Sequence, residues 1–357
     1  MMKVIWRIIP LLIIVLILFY LMDDRVKENE PLESPVKQGS AIQVPENGGE
    51  TTHPQRERPT SGLSIFVGES SKQLLEQKGD PDRVEPSEYG YEWWIYQTES
   101  QMMVGVKDGK VNQIYTASDT SDVAPFEIGQ DVEEIYRTTI IESEISIENG
   151  GNVYTFSLNS EDVKSRPLIE YENVYAQLYT DVEDGKLEAI RFIDPITLVL
   201  HQPYDMSYMG EIVEPTRSAS NMQVEVDRAM ERQIFDLTNI YREKHGVPTV
   251  QGDYKLSEVA RKHSEDMALE NHETDEPSVL ASLAERLKEV GIDHRKAGEN
   301  IASNYVDAIE AVHGWLNSSA HRSVLLDKDF THLGTGAFGK YYTQDFIRMH
   351  TDEKKRQ

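Results

Sequence analysis

The chain of 357 residues contains no cysteine, and this feature constrains its fold more than any other. Neither disulfide bonds nor thiolate ligands and nucleophiles are available to it. Each folded region must therefore be stabilised by core packing alone, and must be large enough to bury a substantial core. The length predicts two or three domains of ordinary size.

The charge balance excludes one large class of partner. The sequence has 62 acidic side chains against 36 basic ones, which gives a formal net charge of −26 at pH 7. Binding to the phosphates of nucleic acid requires a basic surface. We therefore expect no nucleic acid among the partners of this protein. The same charge disfavours docking of the folded part on anionic lipid.

The N-terminus carries a long apolar run. Residues 4–22 are almost entirely apolar and approach the roughly 20 residues with which a helix spans a bilayer. Lys3 and Arg7 precede the apolar core and Asp23 follows it, which predicts a cytoplasmic N-terminus and an extracytoplasmic remainder. No cleavage site of small residues follows. We predict a transmembrane anchor at residues 1–22, and hence a single-pass cell membrane protein; the alternative is a cleaved signal and a secreted protein.

Two regions follow the apolar run. Residues 23–61 are rich in Pro, Glu, Gln, Gly and Thr, and this composition predicts a disordered linker because it buries too little apolar surface to offset chain entropy. The pattern of residues 62–204 predicts a weak tandem repeat. Each copy has a glycine, a capping residue, a short helix and an Asp-Gly turn between strand-forming residues. This predicts a small α+β domain in which each copy packs one helix on its own antiparallel sheet. Residues 205–223 are a second predicted linker.

The region 224–350 combines helical and strand patterns. Two strand-forming segments, 333–338 and 341–347, are separated by Gly339-Lys340, which suits a tight two-residue turn. Helices and antiparallel strands together predict one layered α+β domain. Apolar residues recur at helical spacing in the segments 224–244, 255–267, 278–290 and 306–317.

A carboxylate and three imidazoles mark a candidate site in this region. Glu299 lies in the segment Gly-Glu-Asn-Ile-Ala from Gly298, which is predicted to turn into a short apolar segment. Ser318 and His321 lie in Ser-Ser-Ala-His-Arg. His272 ends a helical pattern and can turn into a cleft. His263 lies on the apolar side of the same helix, where we favour a hydrogen-bonded core histidine over a pocket ligand.

We expect His272, Glu299 and His321 to face one pocket. Two imidazoles and one carboxylate suit zinc with an open coordination position. The same three groups could instead act in general acid–base catalysis. They could also form a hydrogen-bonded polar cleft that only holds helices together, and the sequence leaves these three interpretations open.

These motifs resemble the CAP superfamily, named for cysteine-rich secretory proteins, antigen 5 and pathogenesis-related 1 proteins, and more closely its bacterial SCP-like branch. The resemblance covers about residues 224–347. The repeated domain before it resembles the CAP-associated N-terminal domain of Bacillus-type proteins. The resemblance is carried by His-Ser-Glu-Asp-Met-Ala from His263, Gly-Glu-Asn-Ile-Ala from Gly298, Gly-Trp-Leu-Asn-Ser-Ser-Ala-His-Arg from Gly314, and Tyr-Tyr-Thr-Gln-Asp-Phe from Tyr341.

The resemblance implies a fold and a site. The fold class is α+β, with a C-terminal α–β–α sandwich (the CAP fold) preceded by the small α+β tandem-repeat domain. Many members line a cleft with two histidines and two glutamates, and some bind a divalent metal there. By motif position, His272 matches the first histidine, Glu299 one glutamate and His321 the second histidine. The second glutamate falls near Ser318 and is missing.

Two functions follow as hypotheses. The first is a membrane-anchored extracytoplasmic module that binds an envelope component, protein or small ligand through the His/Glu cleft, with Ser318 at its rim. The second is a metal-dependent hydrolase or peptidase in which Glu299 is the base. In that case His272 and His321 would be ligands of a divalent metal such as zinc.

Overall fold

The computed structural model describes residues 26–36, 40–44, 56–98, 101–215, 220–273 and 280–350 of the chain. Among these residues, no helix combines the length and the apolarity needed to cross a bilayer. The predicted anchor at residues 1–22 lies outside the described residues.

The strands and helices are numbered in chain order. The strands are β1 Val26–Glu28, β2 Leu32–Glu33, β3 Ile42–Gln43, β4 Arg83–Pro86, β5 Glu92–Tyr96, β6 Met102–Lys107, β7 Lys110–Thr116, β8 Glu144–Asn149, β9 Asn152–Ser157, β10 Leu168–Tyr171, β11 Val174–Asp181, β12 Lys186–Ile193, β13 Asp205–Met209, β14 Gln251–Gly252, β15 Lys296–Ser303, β16 His332–Phe338 and β17 Tyr341–Arg348. The helices are α1 Ser71–Lys78, α2 Val132–Thr138, α3 Ser160–Ser165, α4 Pro195–His201, α5 Ser220–Lys244, α6 Tyr254–Glu273, α7 Leu283–Glu289, α8 Ala308–Asn317 and α9 Ser319–Leu325.

The chain divides into two compact units that interleave in sequence. The C-terminal unit comprises Met1–Leu32, Glu231–Ser303 and Ser318–Gln357. The N-terminal unit comprises Glu33–Met230 and Asn304–Asn317. Helix α8 therefore groups with the N-terminal unit, although the sequence analysis assigned it to the C-terminal domain.

The predicted tandem repeat is confirmed by hydrogen bonds that recur in the N-terminal unit. Gly68 and Gly129, one in each copy, both have φ of 87°, a backbone conformation that favours glycine. The N–H of Gly68 donates to the carbonyl of Val111 at 2.7 Å, and the N–H of Gly129 donates to the carbonyl of Leu187 at 2.7 Å. The glycine before each short helix thus ties that helix to the hairpin of its own copy.

The two copies share one sheet, which differs from the expected sheet in each copy. The sheet is antiparallel with the order β10-β11-β12-β7-β6-β5-β4. Strand β12 of the second hairpin pairs with β7 of the first, from Ile190 opposite Thr116 to Ile193 opposite Gln113. A separate hairpin would leave its edge groups unpaired, and joining the two copies removes two such edges. A second sheet has the order β3-β13-β9-β8.

The C-terminal unit is built on a sheet with the order β1-β15-β17-β16-β14, and β2 also pairs with β15. The predicted β16–β17 hairpin is confirmed, with Phe338 opposite Tyr341. Helix α6 lies directly on β16, because a Cβ added at Gly334 would lie 2.3 Å from the Leu256 carbonyl carbon. One added at Gly336 would lie 2.2 Å from the same atom of Ala260. These glycines let the helix backbone approach the strand.

Two expectations from sequence are wrong in this unit. The segment that begins at Gly298 was expected to turn, but it lies within β15 and pairs with β17 along its whole length. A Cβ at Gly298 would lie 2.8 Å from Phe330, so this glycine permits close packing. The linker 23–61 was expected to be disordered, but Val26–Glu28 forms β1 and pairs in parallel with β15. The pairing satisfies edge groups of β15 that would otherwise lack partners.

Candidate functional site

Glu299 lies at the centre of a buried charge cluster in the C-terminal unit. Its partner across the β15–β17 pair is Asp345, and the two residues are only 2% and 0% exposed. Arg286 on α7 donates a hydrogen bond to the Glu299 carboxylate. Its Nη1 atom lies 3.7 Å from Asp345 Oδ2. One guanidinium therefore faces two buried carboxyl groups, which cannot both be ionised without a large cost.

The hydrogen-bonding needs of the Glu299 and Asp345 carboxyl groups are best met when the two groups share one proton. Burial, and next the negative charge of Glu299, raises the pKa of Asp345 well above its usual value. Neither carboxylate oxygen of Asp345 receives a hydrogen bond from the described residues. A proton on Asp345 supplies the missing donor, because its O–H can then bond to the adjacent Glu299 carboxylate. Arg286 neutralises the single remaining charge.

We expect the Asp345→Asn substitution to abolish a pH dependence of stability in the C-terminal unit. The unfolded chain releases this proton above about pH 3.9. A raised pKa in the folded state therefore contributes stability that is fully present below that pH and is lost as pH rises through the folded pKa. Asparagine donates to Glu299 at every pH. The difference in unfolding free energy between wild type and variant should change by up to about 1.4 kcal/mol per pH unit.

Hydrogen exchange of the β15 and β17 amides measures this difference, once rates are corrected for intrinsic exchange between about pH 4 and pH 9. Asp293→Asn is the matched control, because the Asp293 side chain is 87% exposed, and it should keep the wild-type profile. A constant difference between Asp345→Asn and wild type across this range would contradict proton sharing.

His263, for which the sequence favoured a hydrogen-bonded core histidine over a pocket ligand, is buried beside this cluster. It lies on α6, is 5% exposed, and its Nε2 lies 3.8 Å from Glu299 Oε2. That distance is too long for a hydrogen bond. Burial, opposed by the charge of Glu299, lowers the pKa of His263, and Arg286 lowers it further. The ring is therefore neutral at pH 7, and the stability that depends on it is lost as pH falls below about 6.5.

His321 has a different set of polar partners. Its Nε2 lies 2.9 Å from the backbone carbonyl oxygen of Glu30, and its Nδ1 lies 2.8 Å from Ser318 Oγ. A carbonyl only accepts, so Nε2 carries the hydrogen, and neutral Nδ1 accepts from the Ser318 hydroxyl. Burial lowers the pKa of His321, which favours this neutral form, although the bond to Glu30 opposes the shift.

The predicted convergence of His272, Glu299 and His321 stays a prediction. His272 lies in the last turn of α6, and its side chain is outside what the structure describes. Glu299 contacts Arg286 and His263, whereas His321 contacts Ser318 and Glu30. Side chains alternate along a strand, and it is Asn300, the residue after Glu299, that donates to the His321 carbonyl at 3.1 Å.

The described contacts of Glu299 and His321 do not leave these two side chains free to bind a divalent metal. Within the described part of the C-terminal unit, no three His, Asp or Glu side chains bring ligand atoms within 4.8 Å of one another. Glu299 is bonded to a guanidinium, which would repel a cation at the same carboxylate. Both ring nitrogens of His321 already take part in hydrogen bonds. The zinc prediction therefore rests on His272 alone among the predicted ligands.

An N-terminal segment, residues 26–30, crosses this site, and the sequence analysis missed it. Strand β1 covers the edge of β15, with Glu28 in register with Glu299. The carboxylate of Glu28 accepts from the backbone N–H of Leu283 at 3.0 Å. The carbonyl of Glu30 accepts from His321. The site is therefore closed by part of its own chain.

Side chains of the N-terminal segment add further contacts to the unit. The Asn29 carboxamide donates to Asn300 Oδ1 at 2.9 Å and to the Ala320 carbonyl at 3.2 Å. Lys27 Nζ donates to Ser323 Oγ. These residues bridge β15 and α9, which places the segment between the two elements that carry Glu299 and His321.

Sequence reasoning also missed Arg286 and Asp345. Arg286 gave no signal beyond its place in a helical pattern. Asp345 lies within the quoted segment Tyr-Tyr-Thr-Gln-Asp-Phe, so its motif was seen without its role. Only the pairing of β15 with β17 shows that it faces Glu299.

Comparison with known proteins supports the sequence resemblance. Two family models match: CAP-associated N-terminal over residues 67–204, and the cysteine-rich secretory protein family over residues 235–347. The uncharacterized membrane protein YlbC of Bacillus subtilis (strain 168) is 40% identical over 292 residues, which cover 81% of this chain and 84% of that protein. The uncharacterized protein YkwD of the same organism is 38% identical over 121 residues, 33% of this chain and 47% of that protein.

Solved structures agree with these matches. An extracellular protein with an SCP domain from Bacillus anthracis has a TM-score of 0.76 and 35% identity, and the similarity covers 84% of this chain and 99% of that one. A cysteine-rich secretory protein from Staphylococcus aureus has a TM-score of 0.74 at 24% identity, with 90% and 100% covered. The second likeness concerns the fold alone. Together they confirm the predicted α+β class with a CAP fold.

Proposed function

Because this chain belongs to the cysteine-rich secretory protein (CAP) family, with a CAP-associated N-terminal domain, we propose that it is a membrane-anchored extracytoplasmic binding module. The proposed binding face is the β15 edge together with α7 and α9. The proposal rests on one observation: the Nε2–H of the His321 ring donates a hydrogen bond to the backbone carbonyl of Glu30. The cleft thus presents its polar groups to an extended backbone.

Binding is favoured over hydrolysis by the surroundings of Glu299. A general base needs a free carboxylate within reach of water or substrate. Glu299 is buried, bonded to Arg286 and paired with Asp345. Its charge is therefore used to hold the unit together.

The proposed location follows from the predicted anchor and from the position of β1. The predicted span ends at Met22 and β1 begins at Val26, which leaves four Cα–Cα steps. An extended chain covers at most about 3.5 Å per residue, or about 14 Å in all. With the N-terminal segment paired with β15, the binding face would lie close to the extracytoplasmic surface of the cell membrane. The relative YlbC is named a membrane protein, which supports an anchor.

Photo-cross-linking on intact cells tests the proposed function. A photoreactive amino acid at Ser323, which is exposed on α9 beside the N-terminal segment, should yield a cross-linked envelope component in the membrane fraction. The matched position is Tyr254, which is 80% exposed at the start of α6 and should yield none. The His321→Ala variant should reduce the Ser323 product at least about tenfold, as expected for a buried hydrogen-bonding group. Equal products at both positions, or none at Ser323, would refute the proposal.

A further inference from the structure

We propose that the edge of β15 is a groove for an extended peptide of another polypeptide that carries an acidic residue opposite Glu299, and that the chain's own N-terminal segment occupies this groove until such a peptide displaces it. The inference rests on the proposed binding function and names the class of ligand. Its basis is the way in which residues 26–30 are held on the unit.

Backbone pairing points to a polypeptide as the ligand. Strand β15 pairs with β17 on one side, and on the other side its edge is paired by β1 and β2. The parallel register of β1 sets Val26 opposite Ala297 and Glu28 opposite Glu299. Addition of a strand to a sheet edge is a general mode of peptide recognition, with affinity from main-chain hydrogen bonds. An anionic polymer without a peptide backbone could not make these bonds.

Side-chain contacts point to a peptide with one acidic residue at the position of Glu28. The Glu28 carboxylate accepts the Leu283 N–H. Asn29 and Glu30 are then fixed by Asn300 and His321. A displacing peptide would reproduce a carboxylate, followed by a polar side chain and then a carbonyl, in three consecutive residues.

The chain's own segment is a poor permanent occupant. Strand β1 has only three residues, and Lys27, Glu28 and Glu30 remain exposed. Partial burial of its carboxyl group, and next the negative charge of the nearby Glu299, raises the pKa of Glu28. While the internal strand is bound, an external strand cannot pair with β15. The apparent affinity for the external strand is therefore the intrinsic affinity multiplied by the fraction of time that the groove is free. Such a strand acts as a competitor and not as a fixed part of the core.

A disulfide can lock the segment in place in the full-length protein. Val26 and Ala297 are in register and pack in the same apolar cluster. Neighbouring strands lie about 4.8 Å apart, within the range of about 4.4–6.8 Å that a disulfide needs between Cα atoms. The chain has no other cysteine, so Val26→Cys with Ala297→Cys can form only this bond within one molecule. The Asn29→Ala variant should instead loosen the segment, because it removes the hydrogen bonds from Asn29 to Asn300 and to the Ala320 carbonyl.

The probe is a fluorescent synthetic peptide with the sequence of residues 25–32, titrated by anisotropy. The Asn29→Ala protein should bind it at least about tenfold more tightly than wild type. The oxidised Val26→Cys/Ala297→Cys protein should not bind it, and reduction should restore wild-type binding. The matched probes are a scrambled peptide and the same peptide with Glu28→Ala, which lacks the acceptor for the Leu283 N–H, and both should bind at least about tenfold more weakly. The inference is overturned by equal binding to oxidised and reduced protein, by no binding to Asn29→Ala, or by equal binding of the Glu28→Ala peptide.

Failure of the peptide groove can be distinguished from failure of the proposed envelope-binding function. If the Ser323 cross-link to the envelope forms equally well in the oxidised, locked protein, the binding module stands and the peptide groove is wrong. If the peptide binds as expected but no envelope component is cross-linked, the groove stands and the proposed envelope ligand is wrong.

Discussion

Replacing Arg191 by methionine is expected to lower the free energy of unfolding of the N-terminal unit by about 3–5 kcal/mol. Arg191 is 0% exposed, and its Nη2 donates to both carboxylate oxygens of Asp307 at 3.0 and 2.8 Å. Methionine fills a similar volume but leaves the Asp307 carboxylate buried without a cation. Removing one partner of a buried ion pair costs more than removing both, because the remaining charge stays desolvated.

Urea unfolding followed by tryptophan fluorescence measures this effect, because Trp93 and Trp315 are buried in this unit. The double variant Arg191→Met/Asp307→Asn should recover more than half of the loss. Asparagine keeps an oxygen that can accept the Glu310 N–H, as Asp307 Oδ1 does at 3.0 Å. Arg137→Met is the control, since its ion pair is on the surface and its side chain is 70% exposed. A loss below about 1 kcal/mol for Arg191→Met, the range of surface pairs, would contradict the prediction.

The same network explains why α8 belongs to the N-terminal unit. Glu310 on α8 accepts from Arg166 Nη1 at 2.7 Å and from Gln177 and Tyr179 at 2.8 Å each. The His313 Nε2 lies 2.9 Å from the Tyr115 hydroxyl oxygen. Residues 304–317 lie within the region that matches the cysteine-rich secretory protein family, 235–347. That region expressed alone would leave the buried acids of α8 without their partners.

The parts of the fold that the sequence predicted are those set by local patterns. The short helices after Gly68 and Gly129, the Asp-Gly hairpins and the turn at Gly339 each depend on residues within one or two turns of chain. Helical spacing likewise predicted α5 and α6 close to their observed bounds. Capping residues, turn glycines and apolar periodicity suffice for such elements.

The parts that it missed depend on pairing between distant segments. Gly298 was read as a turn because glycine is a turn former, but here it makes room for Phe330 beside a strand. Asp345 becomes a partner of Glu299 only through β15–β17 pairing, and the N-terminal segment reaches β15 across some 270 residues of sequence. No local pattern in residues 26–30 indicates that edge. The contacts that surround Glu299 could therefore not be predicted from sequence, and its role in a functional site stays a prediction.

Replacing Arg286 by methionine is expected to have the largest effect in the C-terminal unit, and an effect that depends on pH. At pH 7 the substitution leaves the buried carboxyl groups of Glu299 and Asp345 without their cation, which should cost about 3–5 kcal/mol. Arg286 lowers the pKa of Asp345, so its removal raises that pKa further. Protonation of Asp345 as pH falls then removes one buried negative charge, and the deficit relative to wild type should shrink toward pH 4. A loss of apolar packing alone would not change with pH.

Hydrogen exchange of the β15 and β17 amides, corrected for intrinsic rates, gives the deficit at each pH. Arg286→Lys keeps the positive charge and loses the planar donor pair, so it should lie between wild type and Arg286→Met. Arg348→Met is the control, because Arg348 makes only a long contact of 3.3 Å to Asp329 at a partly exposed position. The double variant Arg286→Met/Asp345→Asn removes the proton sharing as well as the cation. Glu299 then keeps one hydrogen-bond donor, and part of the loss at pH 7 should be recovered. A deficit in Arg286→Met that is the same at pH 4 and pH 7 would show that Arg286 acts through packing and not through its charge.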